Sequence, residues 1–293
     1  MKPSSLELQA LAIVLPFVAP IFGLLIGSFL NVCIVRLPKE ESVVTPRSHC
    51  PKCGHMIAWY ENIPVFSFLF LRGRCRGCGE PISWLYPIIE FLNGAMFLFL
   101  ALMFGPSMEF LKYAVFGALM LALVVTDFRE RILPDELTFV GIAAGAGFSL
   151  LTPVGDGTAA WITQAFTRNG FATPWPPIMV SALDSLLGAI AGAATLWCVR
   201  EGYYLWRGVE GMGFGDLKLM AAVGAFVGLK VTLLTIFLGS VLGSILGGGF
   251  IFLSRGRDTA YELPFGTFLG VAAIFGALWG KEVVHWYLLK LSY

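Results

Sequence analysis

Two aspartates and four cysteines carry the chemistry that can be read from this chain. Asp127 closes an apolar run in "ALVVTDFRERILPDELTFV", and Asp216 ends the glycine-spaced "GMGFGD" ahead of another apolar run. Ionisable groups at the edge of membrane-length runs are costly and mark functional positions. Two carboxylates held close share one proton, so one can deprotonate water while the other protonates a scissile carbonyl. Gly211, Gly213 and Gly215 permit positive φ and close backbone approach, which would let an extended peptide lie against them. Read alone, Asp216 serves equally as an N-cap for the next helix. The two roles are not exclusive.

Cys50, Cys53, Cys75 and Cys78 lie in "CPKCGH" and "CRGCGE", as C-x2-C, a 21-residue spacer and C-x2-C. Two such knuckles can present four thiolates tetrahedrally, which suits a closed, structural zinc site. The alternative is two disulfides, which a reducing cytoplasm disfavours. His49 and His55 flank the first knuckle and read as surface residues beside four available cysteines. Cys33 and Cys198 sit in apolar runs and read as small hydrophobes.

These residues need membrane elements to position them. The chain has 293 residues, 57% hydrophobic and 13% charged, with a mean hydropathy of +0.78. A soluble domain carries about 25% charge, so this is a polytopic membrane protein. The net charge of +1 gives no argument for nucleic acid as a partner. Candidate spans lie near 11–35, 86–105, 109–126, 136–152, 178–199, 217–229, 231–254 and 264–289. The first is too long for a signal-peptide core and reads as a retained span. The sixth is short, so the count is seven or eight.

With the N-terminus outside, the inner loops collect fourteen of the 20 Lys and Arg. This asymmetry favours an even number of spans and a cytoplasmic first loop. The loop at 37–85 is polar and cysteine-bearing. The segment 153–177 reads as an irregular outer loop. Asp127 and Asp216 then fall at the same cytoplasmic boundary, the precondition for a paired site. Among the other acids, Asp135 resembles a helix-start residue, and Asp184 lies toward the outer side. Asp156 and Asp258 are loop residues. Glu90, one turn inside the second span, reads as a supporting or buried hydrogen-bonded group. Glu210 and Lys218 flank the glycine motif and could orient it electrostatically.

The chain resembles the type IV prepilin peptidases over most of its length. The resemblance rests on "GSFLNVCIVRLP" at 27–38, the tetracysteine loop at 48–83, "YPIIE" at 86–90, "TDFRERILPDELT" at 126–138, "EGMGFGDLKLMAAVGAFVG" at 210–228 and "LPFGTFLGVAA" at 263–273. It implies that Asp127 and Asp216 are the aspartyl protease pair, with Gly213, Gly215, Lys218 and Glu90 in support. The implied substrates are prepilins or pseudopilins, cleaved after a glycine on the cytoplasmic face of the bacterial inner membrane. It also implies methylation of the new N-terminal residue from S-adenosylmethionine, with a zinc module tied to that half. Leu85 stands where the family usually has Arg, which bears on methylation. Thr267 stands where it often has Pro, and the 153–177 loop is longer than usual.

The expected fold is therefore an all-α polytopic membrane protein. About eight transmembrane helices carry a small zinc-binding cytoplasmic module inserted after the first. The expected division is 1–36 as first span, 37–85 as tetracysteine module and 86–293 as peptidase domain. One alternative is a GxGD intramembrane protease without methyltransferase activity. Another is a non-enzymatic membrane scaffold, which has no need of paired acids at one interface. No glycine-rich dinucleotide fingerprint is present, so the sequence places no S-adenosylmethionine pocket.

Overall fold

Each of the eight apolar runs becomes a helix in the computed structural model, which describes residues 5–168, 175–209, 211–253 and 263–291. Glu210 and Asp258 lie outside the described residues. The long helices are α1 (Ser5–Arg36), α3 (Leu85–Phe104), α4 (Met108–Glu130), α5 (Asp135–Leu151), α7 (Pro177–Arg207), α8 (Phe214–Val227), α9 (Leu229–Leu253) and α10 (Phe265–Leu291). The described residues contain no β-strand, only isolated bridges at His49–Met56 and Arg74–Pro81.

Six helices, α1, α3, α4, α7, α9 and α10, are long and apolar enough to cross a membrane. The other two fall short, α5 with 17 residues and α8 with 14. At 1.5 Å per residue these span about 26 and 21 Å, against a hydrocarbon core of about 30 Å. The short α8 is tolerated because it faces protein: α5, α7, α9 and α10 all pack on it, and Leu219, Met220, Ala222, Val223 and Phe226 are fully buried.

The chain divides into two compact units, Met1–Ala122 and Leu123–Tyr293. In the first, α1 packs along α3 through small residues. A Cβ at Gly27 would lie 2.8 Å from the Glu90 Cα, and one at Gly23 would lie 2.8 Å from the Asn93 carbonyl oxygen. The cysteine module follows α1 and includes the short helix α2 (Phe66–Phe70). In the second unit, α7 and α8 touch backbone to backbone. A Cβ at Gly224 would sit 2.1 Å from the Gly188 oxygen, and one at Gly192 would sit 2.3 Å from the Met220 oxygen. Small residues drive such close packing in lipid, where apolar burial between helices is a weak force.

One expectation needs correction here. The segment 153–177 is not wholly irregular, because Thr158–Arg168 forms the helix α6. Its sequence, TAAWITQAFTR, places Ala159 and Thr163 four residues apart on a buried face, the helical period that a search for membrane-length runs passes over. Asp156 lies in a loop, as expected, and is held there by Lys230. Its Oδ1 accepts the Lys230 amide at 2.9 Å, and the Lys230 ammonium donates to its carbonyl at 2.8 Å. Asp184 is buried nearby and accepts the Ala159 amide at 2.7 Å. These acids tie the 153–159 loop to α7 and to the start of α9, at the end of α8 opposite Asp216.

Candidate functional site

Asp127 stands in the last turn of α4. Arg131, with φ +57, ends that helix immediately afterwards, and its amide bonds back to the Asp127 carbonyl at 2.9 Å. Pro134 then turns the chain into α5. Asp216 stands in the first turn of α8. Both aspartates are buried, 5% and 8% exposed. Their carboxyl groups interact electrostatically, so the fold brings together two residues from distant parts of the sequence. A short contact chain joins them. Leu133 fills the space beside Gly215, where a Cβ would lie 2.9 Å from its own Cβ. Leu133 also abuts Gly266, where a Cβ would stand 3.1 Å from the Asp127 Oδ2. A side chain at either glycine would collide with this arrangement.

Asp127 is held from α10. The Thr267 amide donates to its Oδ2 at 2.5 Å, and the Thr267 hydroxyl donates to the same oxygen at 2.8 Å. That amide belongs to the first turn of α10, whose N–H groups lack helical partners and favour an anion. No hydrogen bond reaches the Asp216 carboxylate among the described residues. The cap of α8 is Gly213, without a side-chain cap bond, so the reading of Asp216 as N-cap does not hold. Of the two uses expected of the glycines, positive φ is not found at Gly213 or Gly215. They serve by lacking a side chain: a Cβ at Gly211 would meet the Tyr203 ring at 2.7 Å, while Gly213 opens onto free space.

Lys218 reaches from α8 to α5, its ammonium 2.6 Å from the Asp135 Oδ1. Sequence reasoning missed Arg200. Its guanidinium lies over the Phe214 ring, 4.1 Å from the centroid, and its Nε donates to the Met212 carbonyl at 3.2 Å. It thus clamps the glycine motif from α7. It also passed over Thr267, whose departure from Pro gains meaning here: proline has no N–H to give Asp127. Replacing Thr267 by Val should keep the amide bond and lose the hydroxyl. At about 1 kcal/mol for one such bond, any reaction rate that depends on this carboxylate should fall several-fold; an unchanged rate would remove the hydroxyl from the site.

The four cysteine sulfurs lie within 4.8 Å of one another and none is in a disulfide. Cys50 and Cys78 sulfurs are 3.9 Å apart, as are those of Cys53 and Cys75. A tetrahedron with Zn–S bonds of about 2.3 Å has sulfur edges of about 3.8 Å, so the cluster fits a metal ion of that kind. The amides of Cys53 and Lys52 point at the Cys50 sulfur and lower its thiol to about 6. Lys52 is raised by Glu80, 3.0 Å away. His55 is not a ligand and not idle: its Nε2 is 3.2 Å from Glu61. Glu61 is lowered by the Ala58 amide first, then by His55 and Arg76. Cys33 is buried in α1, while Cys198 is exposed on α7.

Glu90 lies on α3, 8% exposed, and its Oε2 accepts the Val65 amide at 2.8 Å. It lines a cavity of about 610 Å³ within the first unit, bounded by α1, α3 and the cysteine module.

Helices of membrane length, a buried carboxylate pair and a separate tetrathiol cluster define a class: a polytopic membrane protein equipped for acid–base chemistry. Comparison with known proteins narrows it. The Bacterial Peptidase A24 N-terminal domain matches residues 21–104, and the Type IV leader peptidase family matches 114–248. A prepilin leader peptidase/N-methyltransferase of Aeromonas hydrophila is 36% identical, over 92% of both chains. Proteins of the same description from Xanthomonas campestris pv. campestris and Burkholderia pseudomallei are 34% and 36% identical, over 91% and 88% of this chain. No solved structure matches significantly. The chain belongs to the type IV leader peptidase family.

Proposed function

We propose that this chain removes the leader peptide of prepilins or pseudopilins and methylates the N-terminal residue so exposed. The observation that carries the reading is the meeting of Asp127 and Asp216 in one unit, in a chain matching prepilin leader peptidase/N-methyltransferases along its length. Asp127 Oδ2 receives two donors from Thr267, which suits the member that carries the negative charge and takes a proton from water. Asp216, without such donors, suits the member that protonates the scissile carbonyl. Gly213, open to its surroundings, leaves room for a substrate backbone beside Asp216. Leu133, Gly215 and Gly266 set the approach of the two acids, Lys218 ties the start of α8 to α5, and Arg200 steadies the segment before α8.

The excess of Lys and Arg in the inner loops supports placing this site and the cysteine module on the cytoplasmic face of a bacterial inner membrane. The division of labour follows the chain: 1–36 a first span, 37–85 a zinc module serving methylation, and 86–293 the peptidase. Cys50, Cys53, Cys75 and Cys78 would hold zinc in a closed, structural site. S-adenosylmethionine would supply an electrophilic methyl group on a cationic sulfur. The test uses purified enzyme, a prepilin N-terminal peptide and mass spectrometry, with and without S-adenosylmethionine. Cleavage after a glycine should occur in both, and a single added methyl only with the donor. Cleavage that never leads to methylation would favour the alternative, a GxGD protease alone.

A further inference from the structure

We propose that the end of the second unit remote from Asp216 carries a binding site for the phosphate group of a membrane phospholipid, built from Lys230, Lys281 and His285. The inference stands apart from the peptidase and methyltransferase readings. The three residues line a cavity of about 250 Å³. Lys281, Val284, His285 and Leu288 reach it from α10, and their spacing of three and four makes one stripe of that helix. Lys230 reaches it from the start of α9, and Asp156 from the loop before α6. Two helix lengths set its depth. Lys281 follows Thr267, the partner of Asp127, by 14 positions on α10, about 21 Å of helix. The 14 residues of α8 carry the chain from Asp216 to the loop's neighbour Gly228 over about the same distance. With the aspartates at one membrane boundary, the cavity lies near the other. Trp286 and Tyr287 are exposed at its level, as aromatic side chains are at a membrane–water interface.

Charge singles out an anion. Asp156 is the one carboxylate in the wall, and both its oxygens are taken: Oδ1 accepts the Lys230 amide at 2.9 Å, and Oδ2 accepts the Thr158 hydroxyl. The Lys230 ammonium donates to the Asp156 carbonyl at 2.8 Å, which leaves two of its three N–H groups for a ligand. Lys281 and His285 have no hydrogen-bond or ion-pair partner among the described residues. A Cβ at Gly155 would stand 3.0 Å from the Lys281 ammonium, so that ammonium rests against the loop at the cavity wall. Of the nearby acids, Asp184 is buried on the Ala159 amide, and Glu282 does not line the cavity. Two ammonium groups and an imidazole thus converge on a space whose one carboxylate is already bonded. Phosphate oxygens accept charge-assisted hydrogen bonds from such donors. Size and lining favour a lipid as the source. Pockets for whole small ligands begin at about 300 Å³, so this one takes a single polar group while the rest of the molecule lies outside. Val231, Val284 and Leu288 supply the apolar part of the wall, against which a glycerol and the start of an acyl chain can lie.

Native mass spectrometry of the whole protein in detergent, titrated with phosphatidylglycerol, phosphatidylcholine or glycerol 3-phosphate, tests this. Phosphatidylglycerol should bind about fivefold or more tighter than phosphatidylcholine, whose choline cation the lysines repel. Lys281→Gln should weaken phosphatidylglycerol binding about fivefold, the scale of one lysine beside an anionic lipid. Lys290→Gln makes the same charge change on the same helix outside the cavity, where the ammonium lies over the Trp286 ring, and should bind as the wild type does. Thermal unfolding without added lipid should be alike in wild type and Lys281→Gln, because Lys281 loses no partner. Glycerol 3-phosphate binding as tightly as the lipid would overturn the lipid as the source of the phosphate. Undiminished binding by Lys281→Gln, an equal loss in Lys290→Gln, or no preference for phosphatidylglycerol would overturn the site.

Discussion

Asp127→Asn and Asp216→Asn will each reduce leader cleavage by about three orders of magnitude or more, the scale seen when one member of a cooperating catalytic set is removed. The amide is nearly isosteric, so packing around Leu133, Gly215 and Gly266 should persist. Acid–base capacity is lost: an asparagine can neither take a proton from water nor deliver one. For Asp127 there is a second effect. Thr267 aims its amide and hydroxyl at one oxygen, and both are donors suited to a carboxylate. An asparagine that presents its NH2 group there would face two donors with no acceptor. The double variant should be little worse than either single one, because members of a unit are not additive. Single-turnover cleavage of a prepilin peptide by purified variants, with thermal unfolding as the control for folding, measures this. A single variant retaining a tenth of the wild-type rate would remove that residue from the reaction.

The second large effect concerns the metal. Changing Cys50 and Cys53 together to Ser should take bound zinc from one per chain to nearly none. Serine offers a neutral hydroxyl where the metal takes thiolate. The module has little else to hold it. Phe68 is the one buried large apolar side chain between residues 41 and 83 among those described, and its order comes from turns, two isolated bridges and two short helices. In such small modules the free energy of metal binding is folding free energy. The variant should therefore also become sensitive to limited proteolysis between the two knuckles. Cys198→Ser, on an exposed face of α7, should keep its zinc. Stoichiometric zinc in the double variant, measured by elemental analysis, would reject the tetrathiolate site.

How much of this was legible in the sequence depends on the range of the contact involved. The apolar runs, the tetrad spacing and the two acids at helix boundaries are local patterns, and each is found where the pattern put it. The burial of α8 is half-legible: a run too short to cross a membrane announces itself, but the helices that cover it do not. Thr267 shows the limit. It looked like a small departure in a glycine-containing block, yet its partner Asp127 lies 140 residues earlier. Arg200 is similar, an inner-loop cation in the sequence and a clamp on Met212 and Phe214 in the fold. The glycines were read as permitting both positive φ and close approach; close approach is the use the fold makes of them, and only the neighbours Leu133 and Tyr203 reveal what approaches. Helix α6 was hidden because its short amphipathic face is not of membrane length.

The most direct test of the account is the intact mass of a prepilin co-expressed with this chain in a host lacking its own leader peptidase. With the wild-type protein, the pilin should lose its leader and gain one methyl on its new N-terminus. With Asp127→Asn or Asp216→Asn, it should keep its full leader and gain nothing. Trimmed pilin from either variant, or untrimmed pilin from the wild-type protein, would contradict the central claim that these two aspartates cleave prepilin leaders.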